Sequence, residues 1–393
     1  MRASSLRLLA LPFLIVATAC GASTSEPAPA PAPVTAVPPA APPGEAETPA
    51  KEPNALADAI DALFTDAEAK DAFSGSVVVV DGGKTVLEKG FGAADRASKR
   101  KNAPDTIFRI GSISKQFTAS AILALVKDGK LKLTDPVSKF FPDYPTANLV
   151  EDGTEVTLHH LLSQTSGLPD PGGTTPFKKA VWKKVIAPSE QVDFVKALPL
   201  VRKPGSAFEY LNYNFLLAAM IVEKASGQTY ESFLRQRFFE PLGMKDTGTL
   251  LPSSQAPRAA LGYYEDGGEL ISFADDPIFK DSDVSFAFGS GQIYSTVQDL
   301  ARWDRALTGE AVLPKAQLDL LFAPNLEQYG YGWVIQKKAG ITVQWHNGAL
   351  SPLGFTALIV RVPAKDRFVG YLANMDIDRI QPFEAKVAAL AGK

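Results

Sequence analysis

Phe108-Arg109-Ile110-Gly111-Ser112-Ile113-Ser114-Lys115-Gln116-Phe117-Thr118-Ala119 is the stretch on which the reading of this 393-residue chain turns. Residues 107–110 read as strand and Gly111 as a break. Residues 112–128 read as a helix, with Phe117, Ala121, Ile122 and Leu125 at helical spacing and Gly129 as its stop. Ser112 and Lys115 then share one helix face. The pair suits nucleophilic catalysis, because a serine hydroxyl attacks well only after a neighbouring base takes its proton. A helix start adds unpaired N–H groups that can hold an oxyanion. Its dipole and partial burial would lower the lysine pKa. Ser112 as a helix cap, with Lys115 on the surface, fits the local residues as well.

The Ser-x-x-Lys pattern occurs a second time, at Ser98-Lys99-Arg100-Lys101, inside a highly charged stretch with no apolar helix after it. That copy reads as a solvated loop. Other serine machinery finds little material. No serine sits in Gly-x-Ser-x-Gly, the pattern of a strained nucleophile turn. The chain has three histidines, His159, His160 and His346, and one cysteine, Cys20, so a His- or Cys-based metal site lacks ligands. His159 and His160 are adjacent and read as packing or surface residues.

Outward from this stretch, residues 55–69 form an amphipathic helix with Leu56, Ile60, Leu63 and Phe64 on one face. A hairpin follows: strand 76–80, the turn Asp81-Gly82-Gly83-Lys84, and a return strand 85–90. The unbroken run Val77-Val78-Val79-Val80 predicts a strand covered on both faces. Strand patterns return only at 340–346, 355–362 and 367–373, before a closing helix over 382–391. Between them the chain reads mostly helical, with further helices at 215–225 and 295–307. The expected fold class is α/β (α+β): one antiparallel sheet built from both ends of the chain, flanked by helices, with a mainly helical insertion.

The first residues read as an export signal, 1–19, with Arg2 and Arg7 before an apolar stretch too short to span a bilayer. Ala17-Thr18-Ala19-Cys20-Gly21 resembles a lipobox, which implies lipidation at Cys20. Residues 20–54 are rich in Pro, Ala, Glu and Thr and read as an extended tether. That leaves 55–393 as the folded domain, with its sheet part near 55–111 and 330–393 and the helical insertion near 112–329. A net charge of −3 and the lack of a long basic run argue against nucleic acid as a partner. The expectations are an exported lipoprotein of the cell envelope, held to the membrane by its lipid alone. It would use no metal or cofactor and act on a small-molecule or peptide substrate.

The opening stretch closely resembles the nucleophile segment of the serine β-lactamase-like family, which includes class C β-lactamases, D-alanyl-D-alanine carboxypeptidases, D-aminopeptidases and esterases. The likeness continues in order through Leu158-His159-His160-Leu161-Leu162-Ser163-Gln164-Thr165-Ser166-Gly167-Leu168, Tyr210-Leu211-Asn212, Pro241-Leu242-Gly243-Met244, Gly291-Gln292-Ile293-Tyr294-Ser295-Thr296 and His346-Asn347-Gly348. The resemblance implies that Ser112 is acylated, with Lys115 and Tyr210 handling its proton. Asn212 would bond Lys115 and a substrate amide. His346 and Gly348 would form the substrate-binding third motif, and the N–H groups of Ser112 and Ala349 the oxyanion hole.

Two departures bear on substrate. Class C enzymes carry Lys-Thr-Gly at the third motif, and this chain has His346-Asn347-Gly348. An ordinary histidine there implies that the Michaelis constant of carboxylate-bearing substrates rises between about pH 6 and 8 as its charge is lost. Leu211, where small residues are common, is expected to narrow the site. The expected activity is hydrolysis of D-amino-acid peptides, amides or esters. β-Lactam hydrolysis, a slowly acylated sensor and a non-catalytic interaction domain are the alternatives.

Overall fold

A computed structural model describes residues 53–171, 185–275, 284–338, 340–351 and 353–393. The expected signal, Cys20 and the tether up to residue 52 lie outside the described residues. Among those residues no helix is long and apolar enough to cross a membrane.

Helix α1 (Ala55–Ala69) opens on Asn54, whose side chain accepts the Ala57 N–H at 2.9 Å. The hairpin β1 (Gly75–Asp81) and β2 (Lys84–Phe91) follows as the sequence predicts, turning through Gly82 and Gly83. The sheet is completed by β3 (Val334–Lys338), β4 (Ile341–Leu350), β5 (Phe355–Val362) and β6 (Arg367–Ala373). The order is β3-β4-β5-β6-β1-β2, antiparallel throughout, so the two ends of the chain meet where β6 pairs with β1.

The valine run shows how the sheet is covered. Val77 and Val79 pack with Ile60, Phe64, Tyr371 and Phe383, beneath α1 and the C-terminal helix. Val78 and Val80 face the other way, into a larger core shared with Phe368 and Leu372. Alternate residues of one strand thus enter two different cores, which only a sheet with a layer on each face allows.

The insertion holds α2 (Ser114–Lys127), α3 (Asn212–Ser226) and α4 (Val297–Thr308), with short helices and two-stranded ribbons between them. Helix α2 is buried from Ser114 through Leu125, polar residues included, so it runs through the middle of the domain rather than along a surface. Helix α3 starts earlier than its apolar spacing suggests, at Asn212, and stops at Gly227 in the left-handed conformation (φ +74°). The closing helix α5 (Ile377–Gly392) also starts earlier than expected. Asp376 caps it by accepting the Ile377 N–H, and Pro382 lies inside the helix instead of opening it.

Candidate active site

Ser112 lies in a single 3-10 turn, Gly111–Ile113, immediately before α2. The strand pair Phe108–Arg109 with Tyr294–Ser295 holds the turn from one side. On the other side it touches the free end of β4. Two glycines make that approach possible. Gly111 has φ +52°, and a β-carbon there would come within 2.7 Å of the Ala349 nitrogen. A β-carbon on Gly348 would stand 2.0 Å from the Ile110 carbonyl oxygen. Backbone therefore packs on backbone where the third motif meets the turn of Ser112. Ala349 falls within β4, paired to Thr356.

One turn along, Lys115 is wholly buried. Its Nζ lies 3.0 Å from Ser112 Oγ, 2.8 Å from Asn212 Oδ1 and 2.9 Å from the Ser290 carbonyl oxygen. The Tyr210 ring sits 4.8 Å from the same nitrogen. Burial drives the Lys115 pKa well below the ordinary lysine value, because the charged form loses its water. Asn212 reaches Lys115 from the first turn of α3, so the early start of that helix is what delivers its side chain.

Tyr210 precedes α3 in extended chain. It leaves 42% of its surface open, while its hydroxyl end is sheltered and lies toward Ser112. Shelter pushes the phenol well above its usual pKa, and the nearby Ser112 hydroxyl offsets part of the rise. Leu211 points the opposite way, into the core, and is 4% exposed. It does not narrow the site as expected, since alternate residues of an extended segment face opposite sides.

His346 departs from expectation more sharply. It is buried, its Nδ1 lies 2.5 Å from the Asn347 carbonyl oxygen, and its Nε2 lies 3.2 Å from the Tyr329 hydroxyl. A carbonyl only accepts, so Nδ1 carries the hydrogen and Nε2 accepts from Tyr329. Burial brings its pKa down to about 4, against a smaller opposing effect of the Asn347 carbonyl. His346 is thus neutral throughout the range pH 6 to 8, and the expected rise in Michaelis constant does not follow. The other histidines have structural partners: His159 Nδ1 meets the Tyr331 hydroxyl at 2.7 Å, and His160 Nδ1 accepts the Thr157 N–H at a helix cap.

The structure thus brings Ser112, Lys115, Tyr210, Asn212, His346, Gly348 and Ala349 to one place. Ser98 and Lys101 lie apart, in a turn and a two-residue strand, where Ser98 bonds to Asp95. Two participants carry no motif of their own, the Ser290 carbonyl and Tyr329; a third, Gln164, belongs to the 158–168 segment and lies in the turn that faces Tyr210. A pocket of about 180 Å³ opens beside Asn212 and Ser290, lined also by Asp170, Gln191, Tyr213 and Phe286. A larger cavity near Val185, Tyr230 and Leu250 touches neither Ser112, Lys115 nor Tyr210. Among the described residues no group of His, Cys, Asp and Glu could hold a metal ion.

The beta-lactamase family profile matches residues 60–393. The chain belongs to that family. It resembles proteins of more than one description. Bacillus subtilis PbpX is 31% identical over 264 residues, which cover 67% of this chain and 62% of PbpX. The octameric penicillin-binding protein homologue from Pyrococcus abyssi is 30% identical with a TM-score of 0.69, over 80% of this chain and 73% of that one. The D-amino acid amidase from Ochrobactrum anthropi, solved with D-phenylalanine, is 26% identical with a TM-score of 0.70, over 86% and 99%. The chain therefore spans less than two thirds of the length of PbpX. It has the fold of the penicillin-binding protein and beta-lactamase group, as the sequence resemblance implies.

Proposed function

We propose that this chain is a serine hydrolase that is acylated on Ser112 and hydrolyses amides, peptides or esters built on D-amino acids. The hydrogen-bond arithmetic at Lys115 carries the reading. Burial favours the neutral amine, which has two N–H bonds and one lone pair. The Ser290 carbonyl and Asn212 Oδ1 accept the two hydrogens, which leaves the lone pair for the Ser112 hydroxyl.

In this mechanism Ser112 Oγ bonds to the substrate carbonyl carbon as its proton passes to Lys115 Nζ. The oxyanion rests on the N–H groups of Ser112 and Ala349. Tyr210, kept protonated by its raised pKa, gives its proton to the leaving nitrogen or oxygen as the bond to carbon breaks. The Lys115 ammonium then restores the Tyr210 phenol. A water molecule attacks the acyl carbon by the reverse path and frees both the acid and Ser112.

The likeness to a D-amino acid amidase supports the amide arm of the proposal. The neutral His346, with both nitrogens engaged, supports amides and esters over penicillins, because it offers no charge to a substrate carboxylate. Export and lipid attachment at Cys20 belong to the same proposal and rest on residues 2–20.

The test compares wild type with Ser112→Ala on D-aminoacyl amides, D-Ala-D-Ala peptides, nitrophenyl esters and a chromogenic cephalosporin. The expected result is turnover of amides or esters and an acyl adduct on Ser112 by mass spectrometry, both lost in the variant. Stable labelling by penicillin with no turnover of any panel member would make the protein a sensor instead.

A further inference from the structure

We infer that Gln164 is a positioning residue that sets the Tyr210 hydroxyl for proton transfer; the inference rests on Tyr210 acting at Ser112 as proposed above. Gln164 is fully buried in the turn after the short helix Leu158–Leu162. Its φ is +61°, a conformation that residues with a β-carbon seldom adopt. In that conformation its carbonyl and its side chain both meet the segment that carries Tyr210. The Gln164 carbonyl accepts the Glu209 N–H at 2.9 Å. Its Oε1 accepts the Leu211 N–H at 3.1 Å. The residues on either side of Tyr210 are thus both fastened to one glutamine.

The same Oε1 accepts Asn214 Nδ2 at 2.6 Å, which ties the segment to the first turn of α3, where Asn212 begins. Ser166 Oγ completes this link by donating to Asn214 Oδ1 at 2.6 Å. The glutamine Nε2 lies toward the Tyr329 hydroxyl without a hydrogen bond of good geometry. Tyr329 in turn bonds His346. One buried amide therefore joins the Tyr210 segment and the Asn212 helix.

Tyr210 needs such a hold. The residue is 42% exposed and its ring meets Tyr329, His346 and Lys115 on one side only, so packing holds it in part, while Leu211 is anchored in the core. The hydroxyl position is then set by the backbone at 209 and 211. Misplacing a reacting group by about 1 Å can cost roughly 100-fold in rate.

The experiment measures full-chain wild type, Gln164→Met, Gln164→Glu, Tyr210→Phe and the Gln164→Met/Tyr210→Phe double variant on one D-aminoacyl amide, with thermal unfolding as a folding check. Methionine keeps the shape and removes the acceptor; glutamate keeps an acceptor for Leu211 and Asn214. Gln164→Met should lower kcat about 30-fold with KM within about twofold, because an interaction used in the reaction is lost rather than one used in binding. Gln164→Glu should restore kcat to within about fivefold of wild type. In the Tyr210→Phe background Gln164→Met should cost less than about twofold more, since the two act as a unit.

Equal losses in both backgrounds, or a fully active Gln164→Met beside an inactive Tyr210→Phe, overturn the role of Gln164 and leave the hydrolase reading intact. Should Gln164→Met not fold, Gln164→Glu decides: retained kcat supports the role and lost kcat overturns it. A wild-type protein that neither turns over the panel nor labels at Ser112 defeats the underlying reading first.

Discussion

The amine of Lys115 stands 3.0 Å from the Ser112 hydroxyl at the end of a side chain with no solvent exposure. A charge placed there would be held by three neutral oxygens and no carboxylate, and burying a charge without a counter-charge is costly. The site therefore favours the uncharged amine, which is the form that can accept a proton.

A pH profile follows from that preference. The amine must be neutral to act, so kcat/KM should fall as pH drops through the lowered Lys115 pKa, with an acidic limb far below the ordinary lysine range. Lys115→Arg fixes a cation at the position and should remove turnover by about 10³-fold or more at every pH. Initial rates on a nitrophenyl ester from pH 5 to 10 supply the measurement. An arginine variant that recovers at high pH would assign the base to another group.

Tyr210→Phe should separate amides from activated esters. A nitrophenolate leaves without help, while an amine must be protonated as it departs. The variant should lose about 10²- to 10³-fold in kcat on a D-aminoacyl amide and about tenfold or less on a nitrophenyl ester. Equal losses on both substrates would place Tyr210 at the attack step, as the base toward Ser112.

Much of this arrangement was legible because it is carried by local pattern. The valine run announced a doubly covered strand, and β5 and β6 matched their predicted spans. Ser112, Lys115 and Asn212 sit in short motifs whose spacing survives into three dimensions. Other features have no local signature. Strand β3 is five residues long and half polar because it lies at a sheet edge, so it escaped notice. The third partner of Lys115 is a backbone carbonyl, which any residue type can supply. The protonation state of His346 depends on burial, and the partner of its Nε2, Tyr329, lies seventeen residues earlier in the chain. Neither is written in His-x-Gly.

That burial makes His346 a stability sensor at acidic pH. Its folded pKa is about 4 against an ordinary value near 6.5, so between these values the unfolded chain binds the extra proton. Stability should therefore rise with pH from about 4 to 6.5 and gain nothing further from this group above that. Integrated over the window, the contribution is roughly 3 kcal/mol. Urea unfolding of wild type and His346→Gln at pH 4.5, 5.5, 6.5 and 7.5 tests it. The difference between the two proteins should change across the first three points and stay constant between the last two. With an ester and a carboxylate-bearing substrate, KM should also be flat from pH 6 to 8.

Gly111 and Gly348 make a last prediction about how the oxyanion site is built. An alanine at 348 would drive its β-carbon into the Ile110 carbonyl, at 2.0 Å, with Ser112 N only 3.1 Å away. Backbone cannot rotate aside as a side chain can, so β4 and the nucleophile turn must separate. Gly348→Ala should lower stability by about 1 to 3 kcal/mol and kcat by about 100-fold, since the N–H groups of Ser112 and Ala349, the proposed oxyanion donors, then move apart. Gly111→Ala meets the same contact from the other side, at 2.7 Å from Ala349 N, and adds the strain of φ +52°. Once either alanine has opened the contact, the other has less to disturb. The double variant should therefore lose less kcat than the product of the single losses. Kinetics beside thermal melts of all three variants give the answer. Fully additive losses, or wild-type kcat in Gly348→Ala, would show that the two segments do not depend on one another for catalysis.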